Sequence, residues 1–143
     1  MNRNLKVSQS VTINANADAV WDMLTNPAKI KEYMFGTNAK TDWQVGSTIS
    51  FEGEYDGKSY ADKGLVKQSV PGKVLQYDYW SGFSGLADEP ENYSLVTFTI
   101  EETEGGTELN LEQLGYASEQ AQQHSQAAWS QVLVSMKEIA ERD

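Results

Sequence analysis

Asp62, His124, Gln113 and a set of tyrosines are the side chains here whose type and spacing suit chemistry. In the stretch 58–69, Tyr60, Asp62, Gly64 and Val66 alternate with Ser59, Ala61, Lys63 and Leu65. Residues two apart in a strand share a face, so Asp62 shares one with Tyr60 and Val66. A carboxylate turned into an apolar space holds its proton more tightly and can serve as an acid or base. Asp62 is therefore the single weak catalytic candidate. A bulge near the long hairpin would instead turn it outward, and a solvated Asp62 is the plainer expectation. His124 is the only histidine and there are no cysteines. An imidazole cluster, thiolate ligands, disulfides and a cysteine nucleophile are thereby excluded. His124 lies on the flank of its helix, outside the apolar arc, where water is its expected neighbour; a general base reaching inward is the other reading. No phosphate-cradling or nucleophile-elbow motif is present. The acid groups Glu52/Glu54 and Glu101/Glu102/Glu104 read as solvated surface. No metal and no cofactor are expected.

The strands that position these groups show one apolar and one wet face. Ile49, Phe51 and Tyr55 oppose Ser50, Glu52 and Glu54; Leu75, Tyr77 and Tyr79 oppose Gln76 and Asp78. Val96, Phe98 and Ile100 oppose Thr97 and Thr99; Leu109, Leu111 and Gln113 oppose Glu108, Asn110 and Glu112. Four tyrosines, Tyr55, Tyr60, Tyr77 and Tyr79, fall on the inward side. Buried phenols need hydrogen-bond partners. A cavity with some polar demand accounts for them, and so does a set of hydroxyls wetted at the sheet rim. Gln113 is the other inward polar group, able to donate to a ligand oxygen.

Strands are expected over 5–14, 38–43, 48–55, 58–69, 73–80, 93–102 and 107–114. Asp56-Gly57, Pro71-Gly72 and Gly105-Gly106 supply turn chemistry between them, so the sheet is an antiparallel meander. Asn16 caps a short helix over 17–25. Asn26-Pro27 ends it and opens a second, to about residue 34. From Ser118 to Arg142, Ala121, Ala128, Trp129, Val132, Leu133, Met136, Ile139 and Ala140 form one apolar arc of a long helix, with Val134 the exception. That helix is the only element long enough to cover the sheet. The 81–92 connection carries Phe83 and Leu86 among glycines, a proline and acids. It is a lid at a pocket mouth or, more plainly, a slack hairpin.

With 143 residues the chain reads as one α+β domain over 1–143: a curved antiparallel sheet, two short helices and a long C-terminal helix. The net charge of −10 repels phosphate backbones and anionic bilayers, so neither nucleic acid nor membrane is an expected partner. No apolar run is long enough to span a bilayer and no secretory signal is seen, so a cytoplasmic location is expected.

The segments INANADAVWDMLTNPAKIKEYM, VGS at 45–47, GLVKQSVPGKVLQYDYW at 64–80, VTFTI at 96–100, GTELNLEQLG at 106–115 and AAWSQVLVSM at 127–136 resemble the family of homologues of the activator of heat-shock-protein-90 ATPase. That family lies within the START-like, birch-pollen-allergen-like (SRPBCC) superfamily. Val20-Trp21, Asn26-Pro27, Gly64, Pro71, Gly106-Thr107 and Trp129 match its recognisable positions. Asn16 stands where many relatives have proline, Tyr33 near a usual tryptophan, and Ser47 where a second glycine is common. The resemblance implies a helix-grip domain with an internal pocket for small hydrophobic molecules. Polyketide cyclases and aromatases share the superfamily, but their catalytic residues vary and do not carry over. The namesake cochaperones have a further chaperone-binding domain that 143 residues leave no room for.

The expected function is therefore non-enzymatic binding of a small, largely hydrophobic, aromatic ligand. Its expected lining is Phe51, Tyr55, Tyr60, Tyr77, Tyr79, Phe98, Leu109, Leu111, Gln113, Trp129, Leu133 and Met136. A cyclase- or hydrolase-like enzyme using the same pocket, or a chaperone accessory domain, are the alternatives. Trp129 is expected to anchor helix to sheet, so Trp129→Ala should cost about 3–5 kcal/mol in chemical denaturation. A loss below about 1.5 kcal/mol at unchanged m-value would instead make it a pocket-lining residue.

Overall fold

The computed structural model describes residues 1–142, and of Tyr55 the backbone alone, so the inward expectation for that side chain lies outside the described residues. The elements run β1 (Asn2–Ile13), α1 (Ala17–Thr25), α2 (Pro27–Tyr33), β2 (Asn38–Lys40), β3 (Thr48–Tyr55), β4 (Lys58–Val70), β5 (Val74–Tyr79), β6 (Ser94–Thr103), β7 (Gly106–Tyr116) and α3 (Glu119–Arg142). Caps set the helix starts. The Asn16 side chain accepts the Ala19 N–H at 2.9 Å. The Asn26 backbone N–H closes α1 on the Asp22 carbonyl, and its side chain accepts the Ala28 N–H to open α2. At the β3–β4 hairpin, Asp56 and Gly57 both take positive φ, 52° and 78°, the two-residue turn whose twist suits a right-handed ribbon.

These strands form one antiparallel sheet in the order β1-β7-β6-β5-β4-β3-β2. The inward faces of β3 to β7 bury Ile49, Phe51, Val66, Leu75, Tyr77, Val96, Phe98, Leu109 and Leu111. Helices α1 and α2 add Val20, Met23, Leu24, Ile30 and Tyr33 to the same core. This is an α+β helix-grip fold. A bulge does occur in β4, but it falls at Lys67, where the pairing with β5 shifts between Val66 and Gln68. Asp62 lies on the other side of Val66 and keeps its parity. Upstream, Gly64 lets the chain pass so close to β5 that a Cβ there would meet the Asp78 carbonyl oxygen at 1.9 Å. The Asp78 carboxylate fills in for a ladder bond by accepting the Leu65 N–H at 2.7 Å.

Helix α3 covers the sheet unevenly. Its buried residues are Leu133, Met136, Ile139 and Ala140, all in the C-terminal half. Trp129 and Val132 are partly buried, whereas Ala121 is only partly covered and Ala128 is exposed. The expected arc is therefore too long: towards its start α3 meets the sheet through polar contacts, such as Ser125 with the Tyr116 hydroxyl at 2.8 Å, rather than through buried apolar side chains. Polar side chains of α3 also occupy the outer edge of β1. Gln122 donates to the Lys6 carbonyl and Lys137 to the Thr12 carbonyl, each at 2.8 Å, while Glu141 accepts the Asn14 N–H. Arg142 pairs with Glu32 of α2 at 2.8 Å. No helix among the described residues is long and apolar enough to cross a membrane.

Burial raises the pKa of Tyr33 and of Tyr77 well above the ordinary phenol value of 10.0. The unfolded chain ionises these phenols near 10 while the native state keeps them neutral. Their stabilising contribution is thus whole below pH 10 and is lost as pH climbs towards the native values. In an absorbance titration, part of the tyrosine signal should stay silent above pH 10 and then appear in one step with unfolding. Ionisation of all seven tyrosines near pH 10, with the fold intact, would contradict this burial.

Candidate functional site

Beside the start of α3, where its buried apolar residues run out, lies a cavity of about 210 Å³. Three pieces enclose it. Ser94, Gln113, Gly115 and Tyr116 come from the sheet, Ala117 from the turn before α3 and Ala121 from its first turn, and Tyr79, Trp80, Ser81, Phe83 and Leu86 from the end of β5 and the following loop. The 81–92 loop is not a slack hairpin, because several groups hold it down. The Trp80 indole donates to the Leu86 carbonyl at 3.2 Å, and its ring stacks on Tyr93. Lys63 sits 5.7 Å from the Trp80 ring and pairs with Asp88. Arg3 donates to the carbonyls of Tyr93, Pro90 and Glu91. The loop covers the cavity mouth, as the lid reading expects.

Asp62 is buried, 7% exposed, which corrects the expectation of a solvated carboxylate. The reason is the bulge position, since Asp62 keeps the inward parity of Val66. Its Oδ2 accepts the Tyr79 hydroxyl at 2.5 Å. The Tyr79 pKa is pushed far above the phenol range, first by burial and then by the Asp62 charge. Tyr79 is therefore held as a donor and Asp62 as its acceptor. Tyr60 lies across Gly53, shares a hydrogen bond with Thr37 at 2.5 Å, and meets Phe83 edge-on at 5.9 Å.

Gln113 is 9% exposed, and its Oε1 accepts the Trp129 indole N–H at 2.8 Å. That bond fixes the amide's orientation. Its NH₂ has no protein partner among the described residues, and it is the donor available to an occupant of the cavity.

Of the expected lining set, only Tyr79 and Gln113 lie on this cavity's wall among the described residues. Phe51, Tyr77, Phe98, Leu109, Leu111, Leu133 and Met136 are core. Their rings interlock, with centroids 5.7 Å apart for Phe51–Tyr77, 6.4 Å for Tyr77–Phe98 and 5.8 Å for Phe98–Trp129. The centre of the sheet is filled and the void is displaced to one end. The volume falls below the roughly 300 Å³ of a drug-sized pocket, which counts against the expected ligand-binding function as read from the sequence and leaves room only for a smaller molecule. Trp80, Ser94 and Tyr116 are wall residues the sequence reading missed. The strand expected to end at 114 continues to Tyr116, and extending its alternation past Gln113 would have found Gly115. His124 is exposed. No three His, Asp or Glu side chains among the described residues gather where they could hold a metal ion.

The model of the family described as "Activator of Hsp90 ATPase homolog 1-like protein" matches residues 14–141. The chain belongs to that family. It is similar to a Cytophaga hutchinsonii protein of known solution structure, with 40% identity over 99% of this chain and 97% of that one, at a TM-score of 0.84. The solution structure of the Aha1 dimer from Colwellia psychrerythraea matches at 18% identity and TM-score 0.73, over 95% and 96% of the two chains. DynU16, a protein of the dynemicin biosynthetic locus, matches at 16% and 0.77; the alignment covers 96% of this chain and 47% of that one. These two share the fold. A comparison with curated proteins finds no match.

Tyr79→Phe removes the one hydroxyl on Asp62 and leaves a buried carboxylate oxygen unserved. Urea denaturation at neutral pH should show a loss of about 1–3 kcal/mol. A stability equal to wild type would mean that the Tyr79–Asp62 bond is not formed in solution.

Proposed function

We propose that this protein binds a small, largely apolar molecule of about one aromatic ring in the cavity beneath the 81–92 loop. The supporting observation is the cavity itself: about 210 Å³, walled by Tyr79, Trp80, Phe83, Leu86 and Tyr116, with the Gln113 amide as a polar mark. An apolar cavity of about 150 Å³ already accommodates benzene, so one ring with a small substituent fits. Aromatic walls suit a flat ligand. Binding is favoured over catalysis because Tyr79 is held protonated on Asp62 and so is a poor base.

Among single-ring aromatics screened by thermal shift, the best should raise Tm, by the equivalent of about 2.7 kcal/mol at a hundredfold excess over Kd. Ala121→Leu puts a larger side chain into the cavity from α3 and should abolish that shift while the protein stays folded. No stabilising compound in the screen, or hits unaffected by Ala121→Leu, would defeat the reading.

A second reading, an accessory role towards an Hsp90-class chaperone, draws on the family match alone. Its test is co-precipitation with the chaperone at physiological salt, where non-specific attraction to an acidic surface is screened. An unretained chaperone would dispose of it.

A further inference from the structure

We propose that the ligand of this cavity carries a protonated nitrogen, a small aromatic amine or ammonium, and that Asp62 supplies its counter-charge. This rests on the ring-binding reading above and specifies the ligand's charge. Some of the more exposed acids have basic partners, Asp88 with Lys63, Glu141 with Lys137 and Glu32 with Arg142, and others are simply solvated. Asp62 is the contrast. It is 7% exposed, its one hydrogen-bond partner is the neutral Tyr79 hydroxyl, and no lysine or arginine among the described residues pairs with it. Charges in mostly buried positions are ordinarily paired with an opposite charge. A cationic ligand supplies the partner that the protein does not.

The geometry connects this carboxylate to the cavity. Tyr79 stands on the cavity wall and its hydroxyl ends on Asp62 Oδ2. Phe83, on the same wall, packs against Tyr60, the neighbour of Asp62 on its strand face. Asp62 therefore lies behind the Tyr79–Phe83 side. Its Oδ1 has no protein partner, and no buried side-chain oxygen is sealed off without one, so this atom is open to an incoming donor. Phe83 is 62% exposed and rides on the covering loop. Tyr79, whose ring is backed by Phe51 at a centroid distance of 5.6 Å, supplies aromatic surface beside the carboxylate. Aromatic faces next to a carboxylate suit an ammonium, which gains from the ring quadrupoles as well as from the charge.

Benzylamine, benzyl alcohol and benzoate test this, because they share a ring and differ in charge. Calorimetric titrations run in 0.5 M NaCl, where the Debye length is a few ångströms and the net charge of −10 no longer draws cations to the surface. Benzylamine should bind at least about tenfold tighter than benzyl alcohol, a gap of about 1.4 kcal/mol, and benzoate should not bind. Asp62→Asn, nearly isosteric, should erase the amine's advantage and leave benzyl alcohol within about threefold of its wild-type Kd. Benzyl alcohol binding as well as benzylamine to the wild type overturns the charge assignment and spares the ring-binding reading. An amine preference that survives Asp62→Asn overturns it too. Neither compound binding at all overturns both. The wild-type comparison decides the matter even if Asp62→Asn does not fold.

Discussion

Everything in this molecule answers to a sheet that is apolar on one side only. Phe51, Tyr77, Phe98, Leu109 and Leu111 present a continuous ring-and-branch surface, and leaving it in water would cost roughly 25 cal/mol for each Å². Two short helices close one end, and α3 must serve the rest. It does so with Leu133, Met136, Ile139 and Ala140 near its C-terminus and with Trp129 midway. Nearer its start it meets the sheet through polar contacts instead. The cavity lies beside that end, roofed by the 81–92 loop.

The secondary structure was legible because its signals are local. Asn16 and Asn26 act within a few residues of themselves, and Asp56-Gly57 specifies its own turn. Alternation placed Phe51, Tyr77, Phe98 and Leu111 on the inward face, where they are buried. The void was harder to place, since it is what remains after all side-chain volumes are summed across seven strands and three helices. Periodicity gives a residue's face but not its depth from the nearest gap. That is why core residues such as Leu109 and Met136 read as lining, while Trp80, Ser94 and Tyr116 went unnoticed. Asp62 turned on a single residue of register. A bulge between Asp62 and Val66 would have wetted it; the bulge at Lys67 leaves it dry.

The polar groups around the cavity were individually visible and their pairings were not. Gln113 and Trp129 are sixteen residues apart, as are many unrelated pairs, yet their bond at 2.8 Å orients both the amide and the indole. Tyr79 and Asp62 are likewise joined diagonally across β4 and β5, beside Lys63 and Trp80, whose backbones exchange hydrogen bonds. Such pairings depend on the register between strands and on how α3 lies on the sheet, which the alternation pattern does not encode.

The polar face of α3 has a consequence for how copies of this chain meet. A twelve-residue edge strand such as β1 normally invites a neighbouring strand to add to it. Here Gln122 and Lys137 occupy outward carbonyls of that strand, and Glu141 takes the N–H just beyond its end. The opposite edge, β2, is three residues long. Sheet-to-sheet polymerisation is thereby closed off on one side by side chains and on the other by brevity. Loss of the helix, rather than of any strand, is what would convert this fold into a template for aggregation.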